Sequence, residues 1–243
     1  MWSAEVAGRF AREALEGGEG EVCATFRRSF YVRCPEERYA CIGDAALGRG
    51  PLNVLMSGFR MPALGERLSI ATQDAALWQP PQDGVHVEWA RLSEAARPLV
   101  PAEGLGCLVV GAHNALSGHA LPALEALERW LVGNALANEA EQLIGLGPGL
   151  TPSGDDYFGG MLVALRLSGR SMQADGLWRW LQPRLKARTS AISAAHLAAA
   201  AAGEAHEALH EVLNGSLELG KLSAVGHCSG WDALAGAVAV LKA

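Results

Sequence analysis

Basic residues are scarce in this sequence relative to acidic ones. The 243 residues include 20 lysines and arginines against 26 aspartates and glutamates, which gives a formal net charge of −6. Attachment to nucleic acid or to anionic lipid draws on clustered positive charge. The charge balance therefore predicts that neither nucleic acid nor a membrane is a partner of this protein.

Cysteine is also sparse, and its spacing argues against two small-domain architectures. The sequence has 5 cysteines, an odd number, and no two of them form a C-x-x-C pair. A disulfide scaffold or a zinc ribbon is thus poorly supported. The N-terminal segment lacks a basic stretch followed by an apolar one, and no window of about 18 residues is apolar enough to span a bilayer. We expect the protein in a reducing cytoplasm.

The residues that are abundant indicate a folded α+β protein with two parts. Hydrophobic residues make up 50% of the chain and charged residues 19%, which excludes disorder driven by low hydrophobicity. Residues 1–115 carry short apolar runs broken by glycine and proline, which predicts a β-rich domain. In residues 116–243, leucine and alanine recur at helical spacing, which predicts a mostly helical domain.

Individual elements follow from the same patterns. The predicted strands are residues 22–32, 39–42, 52–56, 68–72, 85–89 and 105–110. The predicted helices are a short one within residues 4–15, then residues 122–143, one from Ser153, residues 171–186 broken at Pro183, residues 190–213, and one from Ser229 to the C-terminus.

The most informative segment, GLGPGLTPSGDDYFGG, covers residues 145–160. It places three glycines and two prolines before a predicted helix, and part of it recurs as GHCSGWDALAG at residues 226–236. Both copies contain S-G-x-D-x-x-x-G at a constant offset. Ser153, Gly154, Asp156 and Gly160 in the first copy correspond to Ser229, Gly230, Asp232 and Gly236 in the second.

Two interpretations of the repeat are open. In the first, each copy is a capping box, in which Ser and Asp stabilise the start of a helix by about 1 kcal/mol. In the second, the helices pair through Gly160 and Gly236, so that their N-termini converge on one anion-binding pocket. Capping alone does not explain the glycines, Thr151 and the additional acid Asp155. The segment is neither a Walker A loop nor a dinucleotide-binding fingerprint, because it lacks G-K-[ST] and follows a helix.

The stretch GLGPGLTPSGDD, together with the later G-H-x-S-G-W-D, resembles the DUF2877 family. That family includes a subunit of a bacterial oxamate carbamoyltransferase of allantoin catabolism. The resemblance implies an activity that transfers a carbamoyl group between carbamoyl phosphate and oxamate. It also implies an oligomeric complex with two other kinds of subunit, one of them similar to the acyl-CoA ligase α-subunit.

Under this interpretation the two motifs bind a small anionic substrate and stabilise an oxyanion. We predict as catalytic residues His227, Asp155, Asp156 and Asp232. We predict as substrate- or anion-binding residues Gly147, Gly149, Thr151, Ser153, Gly154, Ser229 and Gly230. No cofactor is assigned with certainty and no metal ligands are predicted, although an alternative has the three acids bind Mg²⁺. Neither motif contains lysine or arginine, and Arg188 and Lys221 are the candidates elsewhere in the chain for supplying positive charge.

Two further functions compete with this one. HEALH at residues 206–210 matches H-E-x-x-H, which would make the protein a zinc metallohydrolase using His206, Glu207 and His210. The apolar stripe of the predicted helix leaves the two histidines on its flank, which favours a solvated helix face instead. The other alternative is a non-catalytic scaffold subunit in which the repeats only cap helices.

Overall fold

The computed structural model describes residues 2–81 and 84–243, and it confirms the predicted α+β class. An N-terminal curled sheet of eight strands precedes a helical C-terminal half. The described residues form two compact units, one of residues 2–81 with Glu204–Glu207 and one of residues 84–203 with Ala208–Ala243. The predicted domain boundary between residues 115 and 116 stays a prediction.

All eight strands lie in the first unit. They are β1 (Trp2–Ser3), β2 (Val6–Gly8), β3 (Glu19–Thr25), β4 (Ser29–Cys34), β5 (Arg38–Gly43), β6 (Asn53–Leu55), β7 (Arg67–Ala71) and β8 (Ala76–Trp78), with helix α1 (Arg9–Leu15) after β2. Their order across the sheet is β1-β7-β3-β4-β5-β6-β2-β8. β3, β4 and β5 pair antiparallel in sequence, whereas β6 runs parallel to β5. The predicted strands 39–42, 52–56 and 68–72 are confirmed as β5, β6 and β7.

The sheet curls because the chain connects its two ends over a very short distance. β1 lies at one end of the strand order and β2 beside the other end, with only Ala4 and Glu5 between them. The Ala4 amide donates to the Ala71 carbonyl in β7, and the Glu5 amide donates to the Leu55 carbonyl next to β2, both over 2.9 Å. The enclosed core is filled by side chains that include Val22, Phe30, Val32, Ile42, Val54 and Ile70.

The single strand predicted over residues 22–32 is wrong, because this segment is a hairpin of β3 and β4. The chain reverses where the Phe26 amide donates to the Ser29 carbonyl over 2.8 Å. Val22, Phe30 and Val32 are all buried and all occupy even-numbered positions. The period-two pattern therefore runs through the turn and hides it from the sequence.

Helices dominate the rest of the chain. They are α2 (Trp89–Ala96), α3 (Ala115–Leu131), α4 (Ser153–Leu167), α5 (Ser171–Arg188), α6 (Ala191–Ala201), α7 (Glu207–Leu213) and α8 (Ser229–Lys242), with 3-10 helices at Gly106–Val110, Asn138–Leu143 and Leu219–Ala224. The predicted strands at 85–89 and 105–110 are wrong, since Trp89 begins α2 and the second segment is a 3-10 helix. Residues 104–107 are all buried, so the apolar run that resembles a buried strand is instead the start of a 3-10 helix.

Three helix predictions also need correction. α3 begins earlier than the predicted residue 122, because Asn114 accepts from the Ser117 amide and forms a capping box with it. It also ends earlier, at Leu131 instead of residue 143, and Asn138–Leu143 is a separate 3-10 helix. The helix predicted over 190–213 is divided into α6 and α7, and Gly203 between them has a φ of 86° that ends a right-handed helix. α5 continues through Pro183 instead of breaking there.

Within the described part of the chain, no helix combines the length and the apolar character that crossing a membrane requires.

Candidate functional site

The two S-G-x-D repeats begin α4 and α8, and these two helices pack tightly against each other. A Cβ atom on Gly160 would lie 1.7 Å from the Ala233 carbonyl oxygen, and one on Gly236 would lie 1.8 Å from that of Tyr157. Contacts this close require glycine at both positions. The predicted pairing of the helices through these glycines is confirmed, and it brings the two N-termini side by side.

The capping-box interpretation of the repeats is wrong, because the serine of neither repeat occupies the N-cap position. The N-cap positions of α4 and α8 are Pro152 and Cys228, and neither makes a side-chain cap. Instead, each serine acts on the acid of the other repeat. Ser153 lowers the pKa of the Asp232 carboxyl, and Ser229 lowers the pKa of the Asp156 carboxyl.

Thr151 joins the two motifs directly. Its Oγ1 lies 3.1 Å from Oγ of Ser229, and Thr151 also lowers the pKa of the Asp156 carboxyl. Residues from both motifs thus surround Asp156. The convergence arises from the pairing of α4 and α8, because Thr151 and Ser229 are distant in sequence.

The loop before α4 is shaped by glycines in the left-handed region. The φ angles are 74° at Gly145, 114° at Gly147 and 96° at Gly149, which side chains rarely adopt. The Ser190 hydroxyl holds the loop by donating to the Leu150 carbonyl over 2.6 Å. Within residues 2–81 and 84–243, the amides of Gly149, Leu150 and Thr151 donate no hydrogen bond. A loop of this kind can present amide groups to an anion.

The other predicted glycines of the site have packing roles as well. A Cβ atom on Gly154 would lie 1.9 Å from the Leu143 carbonyl oxygen, and one on Gly230 would lie 2.3 Å from that of Leu222. Each therefore lets a 3-10 helix pack on the first turn of α4 or α8. Gly149 differs, because nothing lies within 4 Å of its Cβ position.

Asp155 faces the protein interior. It is 2% exposed, and it accepts hydrogen bonds from the Gly145 amide over 2.8 Å, from the Ser193 hydroxyl over 2.6 Å and from the Thr189 hydroxyl. Burial raises its pKa, although these three donors partly offset the effect. The side chain ties the glycine loop to the end of α5 and to α6.

Asp156 occupies the centre of the paired motifs. Burial raises its pKa well above the ordinary value, and the nearby Asp232 carboxylate adds to this rise against the effect of Ser229. In the described part of the chain, its Oδ2 atom is buried and accepts no hydrogen bond. An unpartnered buried carboxyl oxygen is costly, so its presence suggests a ligand or a protonated acid.

Asp232 is held by a loop that the sequence did not single out. Its Oδ1 accepts from the Leu105 amide over 2.5 Å and from the Gly106 amide over 3.0 Å. Burial raises its pKa to about 6, against the lowering effect of Ser153 and of these amides. A Cβ on Gly104 would lie 2.5 Å from Asp232 Oδ1, so glycine is required there. The glycines of this loop were the only sequence signal.

His227 lies at the surface next to the same loop. Its side chain is 81% exposed, and its Nε2 lies 2.7 Å from Oε2 of Glu103. The Cys228 thiol completes a group in which the three candidate ligand atoms lie within 4.8 Å of one another. Burial raises the pKa of this thiol to about 11. Glu103 was not predicted from the sequence.

The cations predicted to offset negative charge are engaged elsewhere. Arg188 pairs with Glu141 over 2.6 Å, and Lys221 pairs with Glu211 over 2.9 Å and with Glu218 over 2.8 Å.

The HEALH segment does not have the arrangement of a zinc peptidase. α7 begins at Glu207, so His206 precedes the helix, and its Nε2 lies 3.0 Å from the Leu47 carbonyl oxygen. Glu207 binds the amide and the guanidinium of Arg49. His210 is only 3% exposed, so a solvated flank is also wrong for this residue. No group of three metal-binding side chains among the described residues includes this segment.

Comparison with known proteins gives a family match within the helical part. Residues 143–241 match the family model described as oxamate carbamoyltransferase subunit AllH, which is of the DUF2877 type. This match covers both motifs and confirms the resemblance seen in the sequence. No curated protein and no solved structure matches the chain.

Proposed function

We propose, from the premise that residues 143–241 match the AllH family, that this chain is one subunit of a carbamoyltransferase complex acting on carbamoyl phosphate and oxamate. The observation that carries the proposal is the convergence of both motifs on Asp156, beside a loop with unused amide donors. The family match alone supports only the statement that the chain is a subunit of such an enzyme. The anion site is our inference from the geometry.

The glycine loop is proposed to bind the phosphate or carboxylate group of the substrate. The amides of Gly149, Leu150 and Thr151 have no acceptor within the described residues, and they precede the N-terminus of α4. Amide groups at a helix start, together with the helix dipole, favour a bound anion. Because Gly149 has no side chain and open space at its Cβ position, a ligand can approach the backbone there.

The acids near this loop would repel an anion if all of them were charged. Asp155 and Asp232 already accept hydrogen bonds from amides or hydroxyls, which offsets their charge. Burial favours the protonated form of Asp156. A neutral carboxyl group can donate to a substrate oxygen instead of repelling it. We therefore assign substrate contact to Asp156 and positioning roles to Asp155 and Asp232.

Carbamoyl transfer suits a site built from such donors. The amide nitrogen of oxamate forms a bond to the carbamoyl carbon, and the bond from that carbon to the phosphate oxygen breaks. Phosphate leaves with the electron pair and takes up the proton that the amide nitrogen loses. Hydrogen-bond donors fixed near the developing oxyanion lower the barrier. His227 has an exposed side chain, so its imidazole is accessible to another subunit of the proposed complex.

The other subunits of the complex are proposed to supply positive charge that compensates the bound phosphate. Arg188 and Lys221 are both ion-paired, so neither compensates the charge of a bound phosphate. We infer that part of the positive charge comes from another subunit, which makes the other subunits necessary partners.

Since all five cysteines are free thiols, we also propose the reducing cytoplasm as the location.

Reconstitution tests this function. The chain is coexpressed with the other two kinds of subunit, and transfer between carbamoyl phosphate and oxamate is measured for the wild type, Asp156→Asn and Asp175→Asn. Asp175 is an exposed acid on α5 and serves as the control. We expect Asp156→Asn to lower kcat by about 100-fold or more, as is common when a proton donor is removed. Its melting temperature should stay within a few degrees.

Two results would overturn the proposal. One is full activity of the complex with Asp156→Asn, which would remove Asp156 from the reaction. The other is an active complex assembled without this chain. A scaffold role instead predicts that Asp156→Asn reduces stability and assembly in parallel with activity.

A further inference from the structure

We propose that Glu103, His227 and Cys228 bind a divalent transition-metal ion of the Zn²⁺ class. The group joins the loop after α2 to the start of α8, because Glu103 is distant in sequence from the adjacent residues His227 and Cys228. Neither the family match nor either sequence motif assigns a metal to these residues. The proposal concerns the chain itself and does not depend on the carbamoyltransferase activity.

The ligand set fits this class of ion. It offers one imidazole nitrogen, one thiol sulfur and one carboxylate oxygen, and their atoms lie within 4.8 Å of one another. Zinc accepts this mixture of N, S and O ligands, whereas Mg²⁺ prefers oxygen alone. Ligand atoms around tetrahedral zinc are separated by roughly 3.3 to 3.6 Å. Small side-chain rotations therefore bring the three atoms to bonding positions.

The surroundings make the three ligands accessible and hold them in place. His227 and Glu103 have side chains 81% and 75% exposed, so an ion can enter from solvent. Cys228 is 8% exposed and forms the inner wall of the group. The backbone here is fixed, because Asp232 on α8 accepts from the amides of Leu105 and Gly106. Three protein ligands leave a fourth position open, as in catalytic zinc sites.

The hydrogen bond between His227 and Glu103 does not by itself account for the group. A surface pair of this kind contributes little stability. This hydrogen bond does not require a thiol nearby, yet the Cys228 Sγ lies within 4.8 Å of the ligand atoms of both side chains. A bound cation would also put positive charge next to the start of α8, where the motifs provide no lysine or arginine.

Cobalt substitution tests the site on the full-length chain. Co²⁺ is titrated into metal-free protein, and the near-ultraviolet thiolate-to-cobalt charge-transfer band is recorded together with the binding stoichiometry. We expect one ion per chain and a thiolate band that is lost in Cys228→Ser. In Glu103→Gln we expect the affinity to fall at least about tenfold. The controls are Cys23→Ser and His113→Ala, which alter a partly buried cysteine and an exposed histidine outside the group.

The His227→Ala variant keeps the test decisive if Cys228→Ser fails to fold. The His227 side chain is exposed, so removing it leaves the core unchanged. Zn²⁺ should raise the melting temperature of the wild type and of both controls but not of His227→Ala. The proposal is overturned by the absence of stoichiometric binding, by a thiolate band that persists in Cys228→Ser, or by full affinity in His227→Ala.

Discussion

Gly160 and Gly236 each lie against the backbone of the other's helix, and this reciprocal contact sets the geometry of the candidate site. Because neither residue has a Cβ, the backbone of α4 packs directly against that of α8, with Gly160 at Ala233 and Gly236 at Tyr157. The hydroxyl of Thr151 then lies 3.1 Å from that of Ser229. The glycine that follows each S-G-x-D motif thus forms the helix contact that brings the two motifs together.

Replacing Gly160 with alanine should therefore separate the helices. The added methyl group would lie 1.7 Å from the Ala233 carbonyl oxygen, which is backbone and cannot rotate away. We expect a loss of at least about 3 kcal/mol in the free energy of unfolding, at the upper end of overpacking effects. Urea denaturation of the purified chain measures this loss.

The neighbouring glycine provides a matched control. A Cβ on Gly159 would lie 3.8 Å from the Ala200 Cβ, an ordinary contact. Gly159→Ala should be neutral or stabilising by up to about 1 kcal/mol, since alanine favours the helix. Similar losses in the two variants would show that the close approach of α4 and α8 is not required.

Asp155 leads to a second stability prediction. In Asp155→Ala, the Gly145 amide and the hydroxyls of Thr189 and Ser193 lose their common acceptor inside the protein. We expect a loss of about 2–4 kcal/mol, because buried donors without a partner are costly. Asp175→Ala, which breaks an exposed ion pair with Arg166, should cost no more than about 1 kcal/mol. Equal thermal denaturation curves for the two variants would contradict the positioning role.

The parts of the fold that local patterns determine were predictable from the sequence. The starts of α4 and α8 were found because Ser and Gly signals precede long apolar stretches. The turn between β3 and β4 was missed because the buried positions keep the same parity on both strands. The break at Gly203 was missed because alanine-rich sequence continues on both sides of it.

The same limit applies to the candidate site. The repeat indicated which residues meet, since Gly160 and Gly236 were visible as equivalent positions. It did not reveal that each serine lowers the pKa of the acid in the other copy, because that effect depends on the packing of α4 against α8. No sequence motif marked the residues that contact Asp232 and His227. Only the fold brings the amides of Leu105 and Gly106 to Asp232, and Glu103 to His227.

Glu207 gives a prediction for the dependence of stability on pH. Burial opposes its ionisation, but hydrogen bonds from the amide and guanidinium of Arg49 outweigh burial and lower its pKa below the ordinary 4.5. Ionised Glu207 therefore stabilises the fold above that value, and this contribution is lost as the pH falls through the lower pKa of the folded state. The difference in unfolding free energy between the wild type and Glu207→Gln should be constant near neutral pH.

Below pH 4.5 the same difference should shrink, because the wild-type side chain also becomes neutral. Urea denaturation at several pH values from 7 downward to about 3 measures it. A difference that grows with acidity would mean that the Arg49 contacts do not lower the pKa of Glu207. Glu125→Gln, at an exposed i,i+4 pair with Arg129, is the control.

Asn114 connects helix capping to the loop that supports Asp232. Its side-chain oxygen accepts from the Ser117 amide over 2.9 Å, while its Nδ2 donates to the carbonyls of Ala102 over 3.0 Å and Gly104 over 2.8 Å. Asp at this position keeps the cap, because aspartate is as good an N-cap as asparagine. It loses the donor to the loop and places negative charge against two carbonyl oxygens.

We therefore expect Asn114→Asp to loosen the loop without unfolding α3. Native-state hydrogen exchange should show faster exchange at the amides of Leu105 and Gly106, which donate to Asp232, while the amides within α3 stay protected. Asn114→Ala removes the cap as well and should expose both sets of amides to exchange. Unchanged protection of Leu105 and Gly106 in Asn114→Asp would mean that the loop holds Asp232 without help from Asn114. In that case the supporting contacts would have to come from the packing of Gly104 and Gly106 against α8 alone.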